Sequence, residues 1–228
     1  MATRRCPSVW RRLGKRGKTP LLVAISAISV VSVASVALAK TEHGTPGRDK
    51  LVGTKRADKL IGRGGRDTLI GRKGADHLKG GRGRDKLLAG PGNDVLRGGP
   101  ANDLLKAGKG NDQLLGGPGK NILKGGPGDD DLSGGPGTSN INGGPGDDLL
   151  IGGPGGGTMT GGPGHDQFNE LDGVPMGGEG DDVIDARDGD EDEINCGPGN
   201  DTAFVDASEE GVIDCETVIE PNTTGGRR

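Results

Sequence analysis

A nine-residue pattern repeats through most of this chain, and it constrains the fold more than any other feature. The pattern reads Gly-Gly-x-Gly-x-Asp-x-apolar-x, and we number its positions 1 to 9. Residues 143–151 match it at every defined position. Position 8 is apolar in fourteen consecutive steps, from Leu51 to Phe168. A strict short period of this kind predicts a solenoid, in which similar units stack on one another.

The composition excludes an ordinary globular domain. The chain has 228 residues, of which 49 are Gly and 14 are Pro, while aromatic residues make up 1%. Such a composition is typical of disordered segments, but the strict period argues against disorder. Collagen is excluded as well, because its glycine recurs every third residue.

Each nine-residue unit divides into a turn and a short strand. In the unit at residues 125–133, Gly and Pro predict a turn over positions 1 to 6, and Asp131-Leu132-Ser133 forms a polar-apolar-polar strand. Such a short strand is stable only when copies stack, so two units form an 18-residue coil and successive coils pair in parallel. We therefore predict an all-β parallel β-roll of about seven coils, with uninterrupted repeats over residues 44–169 in a repeat domain that spans residues 40–169.

The aspartates at position 6 fall into two columns, because one coil holds two units. The first column comprises Asp58, Asp76, Asp94, Asp112, Asp130, Asp148 and Asp166. The second column comprises Asp49, Asp67, Asp85 and Asp103, and continues as Asn121, Ser139 and Gly157. Stacked carboxylates about 5 Å apart repel each other by roughly 1 kcal/mol per pair even in water. Calcium, which takes six to eight oxygen ligands, would remove this repulsion.

The repeats resemble the haemolysin-type, or repeats-in-toxin, calcium-binding nonapeptide of the parallel β-roll. The resemblance implies that several calcium ions lie between consecutive turns, and that binding is coupled to folding. The ligands would be the column aspartates and turn carbonyls such as those of Gly125, Pro127, Gly143 and Pro145. We expect ions along the whole first column, and few or none beyond Asp103 on the second.

The phase of the repeat slips after Phe168. Another good unit lies at residues 177–185, and it makes Asp182 and the later Asp201 further candidate metal ligands. We predict degenerate repeats and a cap over residues 170–219, similar to the ends of secreted actinobacterial calcium-repeat proteins, and a flexible tail over residues 220–228. Cys196 and Cys215 most simply form one disulfide; two free thiols or a metal pair are the alternatives.

The N-terminal segment has the composition of an export signal. Seven basic residues are followed by an uncharged run from Leu21 to Ala39. Small residues at 37 and 39 predict cleavage before Lys40, which makes residues 1–39 a signal peptide and the mature protein secreted, extracellular or associated with the cell wall. An uncleaved membrane anchor is the alternative, and export through the Sec or the twin-arginine route stays open.

Charge is divided unevenly along the chain. Residues 40–124 hold 19 basic and 9 acidic residues, whereas residues 125–228 hold 3 basic and 24 acidic residues. Arg48, Arg66 and Arg84 are 18 apart and would form a column of like charges. They either offset the nearby carboxylates or bind an anionic polysaccharide or cell-wall polymer. The lack of interleaved aromatic residues argues against sequence-specific recognition of nucleic acid.

These features together predict an exported calcium-binding repeat protein with a structural or surface role. The alternative is a cell-surface adhesin that binds a polyanion through the basic half of the roll. The sequence contains no arrangement of nucleophile and base, so we do not expect an enzyme. A hydrolase or lyase activity that is abolished by changing one residue would overturn that expectation.

Overall fold

The computed structural model of the protein describes residues 38–171, 174–187, 193–206 and 211–220. Almost all of the expected signal peptide and of the expected tail therefore lies outside the described residues. Within the described ranges no helix is long and apolar enough to cross a membrane.

All regular structure in these ranges is β-strand. The strands are β1 Thr41–His43, β2 Lys50–Val52, β3 Lys59–Gly64, β4 Thr68–Ile70, β5 His77–Arg82, β6 Lys86–Pro91, β7 Val95–Arg97, β8 Leu104–Lys109, β9 Gln113–Leu115, β10 Asn121–Lys124, β11 Asp131–Ser133, β12 Ser139–Asn142, β13 Leu149–Gly153, β14 Gly157–Pro163, β15 Gln167–Leu171, β16 Val174–Glu179, β17 Val183–Ala186, β18 Ile194–Asn195, β19 Thr202–Val205, β20 Val212–Ile213 and β21 Thr217–Ile219. Most of them are short, as expected for strands that contribute one or two inward side chains each.

The strands form two parallel sheets that the chain visits in turn. The odd-numbered strands make an 11-stranded sheet and the even-numbered strands a 10-stranded sheet, each in sequence order. Leu60 pairs with Leu78 in one sheet and Leu69 with Leu87 in the other, so one coil is 18 residues long. The predicted parallel β-roll is confirmed.

The roll is longer than the seven coils predicted from the regular repeats. After Phe168 the spacing between paired residues falls to 16, as in the pairing of Phe168 with Ile184. The later strands nevertheless continue the same two sheets up to β21. The irregular C-terminal repeats therefore stack on the regular ones and continue the roll.

The core is a thin row of the side chains at position 8. Leu60, Leu69 and Leu87 have no exposed surface, and the row continues through Phe168 to Ile184. Burying a side chain of this size stabilises a fold by about 1.5–3 kcal/mol. Each coil can supply only two such side chains, so the stability of the roll depends on the contacts between coils as well.

Glycines in the turns permit the close approach of successive coils. Gly126 and Gly128 have φ angles of 127° and 133°. A methyl group on Gly126 would lie 1.9 Å from the carbonyl oxygen of Gly108 in the preceding coil. Arg63 and Ala101 adopt the same kind of backbone at φ of 83° and 102°, where side chains other than hydrogen are strained.

The predicted disulfide is confirmed. Cys196 and Cys215 are bonded, with their Cα atoms 5.1 Å apart and a sequence separation of 19. The bond links the residue after β18 to the segment that precedes β21. It holds the last coil of the roll against the one before it.

Candidate metal-binding columns

Each column of aspartates is held together by one-way hydrogen bonds. The backbone N–H of Asp112 donates to Oδ1 of Asp130 at 2.8 Å, and the N–H of Asp130 donates to Oδ1 of Asp148 at 2.8 Å. Asp130 and Asp148 are 1% and 2% exposed. Every turn therefore fixes the orientation of the buried carboxylate in the next turn.

The first column continues past the slip in the repeat. The N–H of Asp166 donates to Oδ1 of Asp182, and that of Asp182 to Oδ1 of Asp201, both at 2.8 Å. The N–H of Asp201 then donates to Oε2 of Glu216 at 2.8 Å. The structure thus brings Asp182 and Asp201 into line with the regular aspartates. The role of Glu216 was missed from the sequence, where its only signal is the neighbouring Cys215.

The second carboxylate oxygen is buried and has no donor in most of the turns. Among the described residues this applies to Oδ2 of Asp67, Asp76, Asp85, Asp94, Asp103, Asp112, Asp130, Asp148, Asp166, Asp182 and Asp201. The two N-terminal aspartates differ, because the N–H of Thr45 donates to Oδ2 of Asp49 at 2.6 Å and the N–H of Thr54 donates to Oδ2 of Asp58. A buried oxygen without a partner is costly unless a cation or a proton neutralises it.

In most turns the free oxygen of the aspartate lies beside the glycine at position 1 and a carbonyl group of the next coil. A methyl group on Gly125 would lie 2.2 Å from Oδ2 of Asp130 and 2.7 Å from the carbonyl oxygen of Gly143. Alanine takes this position in the turns of Asp94 and Asp112, as Ala89 and Ala107, so position 1 accepts only small residues there. A carboxylate oxygen and a carbonyl oxygen that lie side by side match the oxygen-only ligand set that calcium prefers.

The turn carbonyls named from the sequence each accept one backbone hydrogen bond. The carbonyl oxygens of Gly125 and Pro127 accept from the preceding coil, both at 2.9 Å. Those of Gly143 and Pro145 accept at 2.8 and 2.9 Å. A carbonyl oxygen has two lone pairs, so each of them keeps one for a further partner.

Burial makes the column carboxylates poor anions in the absence of a cation. Burial, followed by the charges of Asp166 and Asp130, raises the pKa of Asp148 to about 8 despite the opposing backbone hydrogen bond. Desolvation likewise raises the pKa of Asp76 and Asp130 to about 7. The same cause raises the pKa to about 7 or about 6 at Asp85, Asp94, Asp103, Asp112, Asp166 and Asp182.

Side chains alone do not form a metal site in the part of the chain that the structure describes. No three His, Cys, Asp or Glu side chains come together there. An ion in either column would therefore need backbone oxygens in addition to the carboxylates. This requirement disfavours zinc, which takes nitrogen and sulfur ligands, and agrees with calcium.

The second column changes its chemistry after Asp103. The N–H of Asp103 donates to Oδ1 of Asn121 at 3.0 Å, which keeps the one-way pattern for one more step. The N–H of Asn121 then donates to the backbone carbonyl of Thr138 instead of a side chain. The column of side-chain acceptors on this edge therefore ends at Asn121.

The three arginines spaced by 18 residues lie together on the surface. Arg48, Arg66 and Arg84 are exposed, and all three line one groove next to the second column. Lys86 and Asp85 also line this groove. The structure thus confirms their proximity, while the ligand for such a groove stays a prediction.

A comparison with protein families agrees with this geometry. The family described as RTX calcium-binding nonapeptide repeat (4 copies) matches the chain in eight segments. The segments are residues 43–78, 70–105, 88–123, 97–132, 106–141, 124–159, 133–168 and 176–203. They cover more than half of the chain. A search among curated proteins found none that matches.

Proposed function

Since the chain belongs to the RTX calcium-binding nonapeptide-repeat family, we propose that it binds several calcium ions along both columns and completes its fold as it binds them. The observation that carries the proposal is the set of eleven buried aspartate Oδ2 atoms without a donor. In most of these turns the atom lies close to a carbonyl oxygen of the next coil. A divalent cation would neutralise two neighbouring carboxylates at once.

The proposed ligands are the carboxylates of those eleven aspartates and the turn carbonyls around them. Asp49 and Asp58 have donors for Oδ2, so we place the ions at the coils that follow them. Neighbouring carboxylates are about 4.8 Å apart, the spacing of paired strands. Each pair costs at least about 0.9 kcal/mol when both groups are ionised. Binding energy is then folding energy, because the unfolded chain has no preformed site.

Circular dichroism and ion counting test the proposal. We expect the chain to show only part of its strand signal in chelator, to gain the remainder on titration with Ca²⁺, and to bind several ions per chain in equilibrium dialysis. Mg²⁺ at equal concentration is the control, because it demands a tighter octahedral site and releases water reluctantly. A strand signal that is complete in chelator and unchanged by calcium would refute coupled folding.

Calcium-dependent folding is consistent with export of the protein. Extracellular modules bind calcium with Kd on the order of 10⁻⁴ to 10⁻³ M, so the roll would be completed only outside the cell. The disulfide also fits an oxidising compartment. We place the mature N-terminus at Lys40, whose backbone nitrogen lies 2.5 Å from Oδ1 of Asp58. After cleavage this nitrogen would carry a positive charge and end the first column.

The maturation step is tested by the mass of the exported protein. We expect a chain that begins at Lys40 when the gene is expressed in a host that exports it. Leu38 is 78% exposed and would be accessible to a peptidase. Recovery of the intact N-terminal segment in the membrane fraction would favour the anchor instead.

A second candidate function is adhesion to an anionic polymer. It is supported by the three guanidinium groups of Arg48, Arg66 and Arg84 in one groove. Their spacing of one coil would match repeated negative charges on a polysaccharide or cell-wall polymer. The role of the protein would then be structural, with calcium forming the roll and the basic half attaching it.

Retention on a sulfated-polysaccharide column tests the adhesin function in the presence of calcium. We expect retention to be lost when the three arginines are changed to Gln. The matched control changes Lys55, Lys73 and Lys109 to Gln, which removes the same charge from exposed positions near the first column. Equal loss in both variants would indicate net charge alone and contradict a specific groove.

We assign no catalytic role to the roll. RTX repeats are calcium-binding structural units, and the proposal uses every buried polar column for ion binding or hydrogen bonding. Assays of the purified, calcium-loaded protein for hydrolase and lyase activity test this assignment. An activity abolished by a single substitution outside the columns would overturn it.

A further inference from the structure

The turn that contains Asn121 is closed by an amide group. Nδ2 of Asn121 donates to the carbonyl oxygen of Gly117 at 2.7 Å, and lies 3.4 Å from those of Gly119 and Gly134. Its Oδ1 accepts the N–H of Asp103 at 3.0 Å. The side chain is 2% exposed. An acceptor bond on one side and donor bonds on the other fix the orientation of this amide.

The amide nitrogen takes the place of the free carboxylate oxygen in the other turns. A methyl group on Gly116 would lie 2.8 Å from Nδ2 of Asn121 and 2.6 Å from the carbonyl oxygen of Gly134. The corresponding methyl on Gly125 would lie 2.2 Å from Oδ2 of Asp130. The same space therefore holds a hydrogen-bond donor in one turn and an unpartnered negative oxygen in the other.

The next turn on this edge is closed by a hydroxyl group. Oγ of Ser139 lies 3.4 Å from the carbonyl oxygens of Gly134 and Gly137, and the residue is 3% exposed. Ser139 thus donates from the same position of the repeat as Asn121, to a carbonyl at the same position 4.

The third turn, at residues 152–157, has no side chain at position 6 but its carbonyls are also occupied. The carbonyl oxygen of Gly155 accepts from Oγ1 of Thr138 at 2.9 Å. The carbonyl oxygen of Gly153 accepts from the N–H groups of Gly155 and Gly156 at 2.7 and 3.2 Å. The turn therefore satisfies its oxygens with donors from the chain.

We propose that Asn121, Thr138 and Ser139 replace metal ions with internal hydrogen-bond donors, so that the second-column turns at residues 116–121, 134–139 and 152–157 fold without calcium. The inference rests on the proposed function, in which calcium occupies the equivalent space beside each aspartate. An entering ion would have to displace a buried N–H or O–H group and would gain no carboxylate. Both effects exclude it from these turns.

The proposal makes the two sides of the roll unequal. Along coils 116–157 the first column carries the unpartnered carboxylates of Asp130 and Asp148, whereas the opposite edge carries neutral donors. One edge of these coils would therefore form before calcium arrives. The ordered edge would hold the strands in register, so that the carboxylates of the first column are already stacked when the first ions bind.

The substitution Asn121→Asp tests the proposal in the full chain. It replaces the donor with a second oxygen and extends the second column by one carboxylate after Asp103. We expect at least one more calcium ion per chain than in the wild type, counted by equilibrium dialysis against Ca²⁺. We also expect a lower urea midpoint in chelator that calcium restores. Asn102→Asp is the matched control, because it adds the same charge at an exposed position whose Oδ1 also accepts a backbone N–H.

The outcomes separate this proposal from the proposed function. A wild type that binds no calcium refutes the proposed function. If the wild type binds calcium but Asn121→Asp binds no more ions than Asn102→Asp, the proposal that Asn121 replaces a metal ion is refuted. Asn121→Ala is the second variant, and it should lower the urea midpoint in chelator and in calcium alike. A midpoint of Asn121→Ala equal to that of the wild type would overturn the proposal even if Asn121→Asp failed to fold.

Discussion

Replacing one column carboxylate with its amide should stabilise the metal-free roll and weaken its response to calcium. Asp148 is the sharpest position, because burial and its two neighbours raise its pKa to about 8. In Asp148→Asn the Oδ1 atom can still accept the N–H of Asp130, now 2.8 Å away. The new amide nitrogen would replace the unpartnered Oδ2 and donate to turn carbonyls, as Asn121 does.

The magnitude follows from the spacing of the column. Asp148 lies one coil from Asp130 and one coil from Asp166, about 4.8 Å in each direction. Each ionised pair costs about 0.9 kcal/mol at the dielectric of water, and several times more at an effective dielectric of 20. Removing both repulsions should raise the free energy of unfolding in chelator by at least about 2 kcal/mol at pH 8 and low salt. The variant should also lose at least one bound calcium ion.

Urea unfolding followed by circular dichroism, with chelator and with calcium, measures both effects. Asp147→Asn is the control, because Asp147 is exposed and the Oδ1 atom that accepts the N–H of His165 at 3.0 Å is retained. This control removes an equal charge and should leave both midpoints nearly unchanged. A chelator midpoint of Asp148→Asn below that of the wild type would refute the reasoning, as would equal shifts in the two variants.

Three further predictions concern protons, backbone strain and the disulfide. Without metal, the raised pKa of residues such as Asp148 means that the folded chain binds protons more tightly than the unfolded chain, so stability should fall as the pH rises from about 4 through the folded values of about 6 to 8. Thermal melts in chelator should therefore be higher at pH 5 than at pH 8, and a flat profile would contradict this. Ala101→Gly should raise the free energy of unfolding, measured in urea, by up to about 1 kcal/mol, since it relieves a φ of 102° at some entropic cost. Ala107→Gly changes a buried strand residue without a positive φ and should lower this free energy. Reduction of the bond between Cys196 and Cys215, 19 residues apart, should cost about 3 kcal/mol, and a melting temperature unaffected by reductant would show that the last coil needs no crosslink.

The period of the sequence was enough to predict the fold of the regular part. A spacing of nine with an apolar position 8 allows one arrangement that buries every such side chain, and Leu60 and Leu78 pair as that arrangement requires. The same period predicted that Asp112, Asp130 and Asp148 stack on one edge. Neither result needs atomic detail, because both depend only on residue spacing.

The motif predicted Asp182 and Asp201 as further ligands, but the fixed period could not predict how far the first column continues. Its last steps are 16, 19 and 15 residues long, ending at Asp182, Asp201 and Glu216. Loops of different length between strands absorb these differences while the strands keep their pairing. A fixed period therefore underestimates the length of the roll.

The hydrogen-bond role of Asn121 in the second column could not be predicted from the sequence either. An asparagine at position 6 reads as a weaker oxygen ligand, because its side chain has both an acceptor and donors. The orientation of the amide decides whether it offers an oxygen ligand or a hydrogen-bond donor to the turn. In Asn121 the nitrogen donates to the turn carbonyl of Gly117. The same limit applies to Thr45 and Thr54, whose backbone N–H groups complete the carboxylates of Asp49 and Asp58.

The 18-residue register limits how a roll of this kind can change in length during evolution. Because Leu132 pairs with Leu150 and Asp130 bonds to Asp148, loss or duplication of two adjacent repeats would join surfaces that already match. Gain of a single repeat just before residue 143 would instead move every later turn to the opposite edge of the roll. Asp148 would then follow Ser139 in the second column, and Gly157 would interrupt the first column. We therefore expect proteins of this kind to gain and lose repeats in pairs.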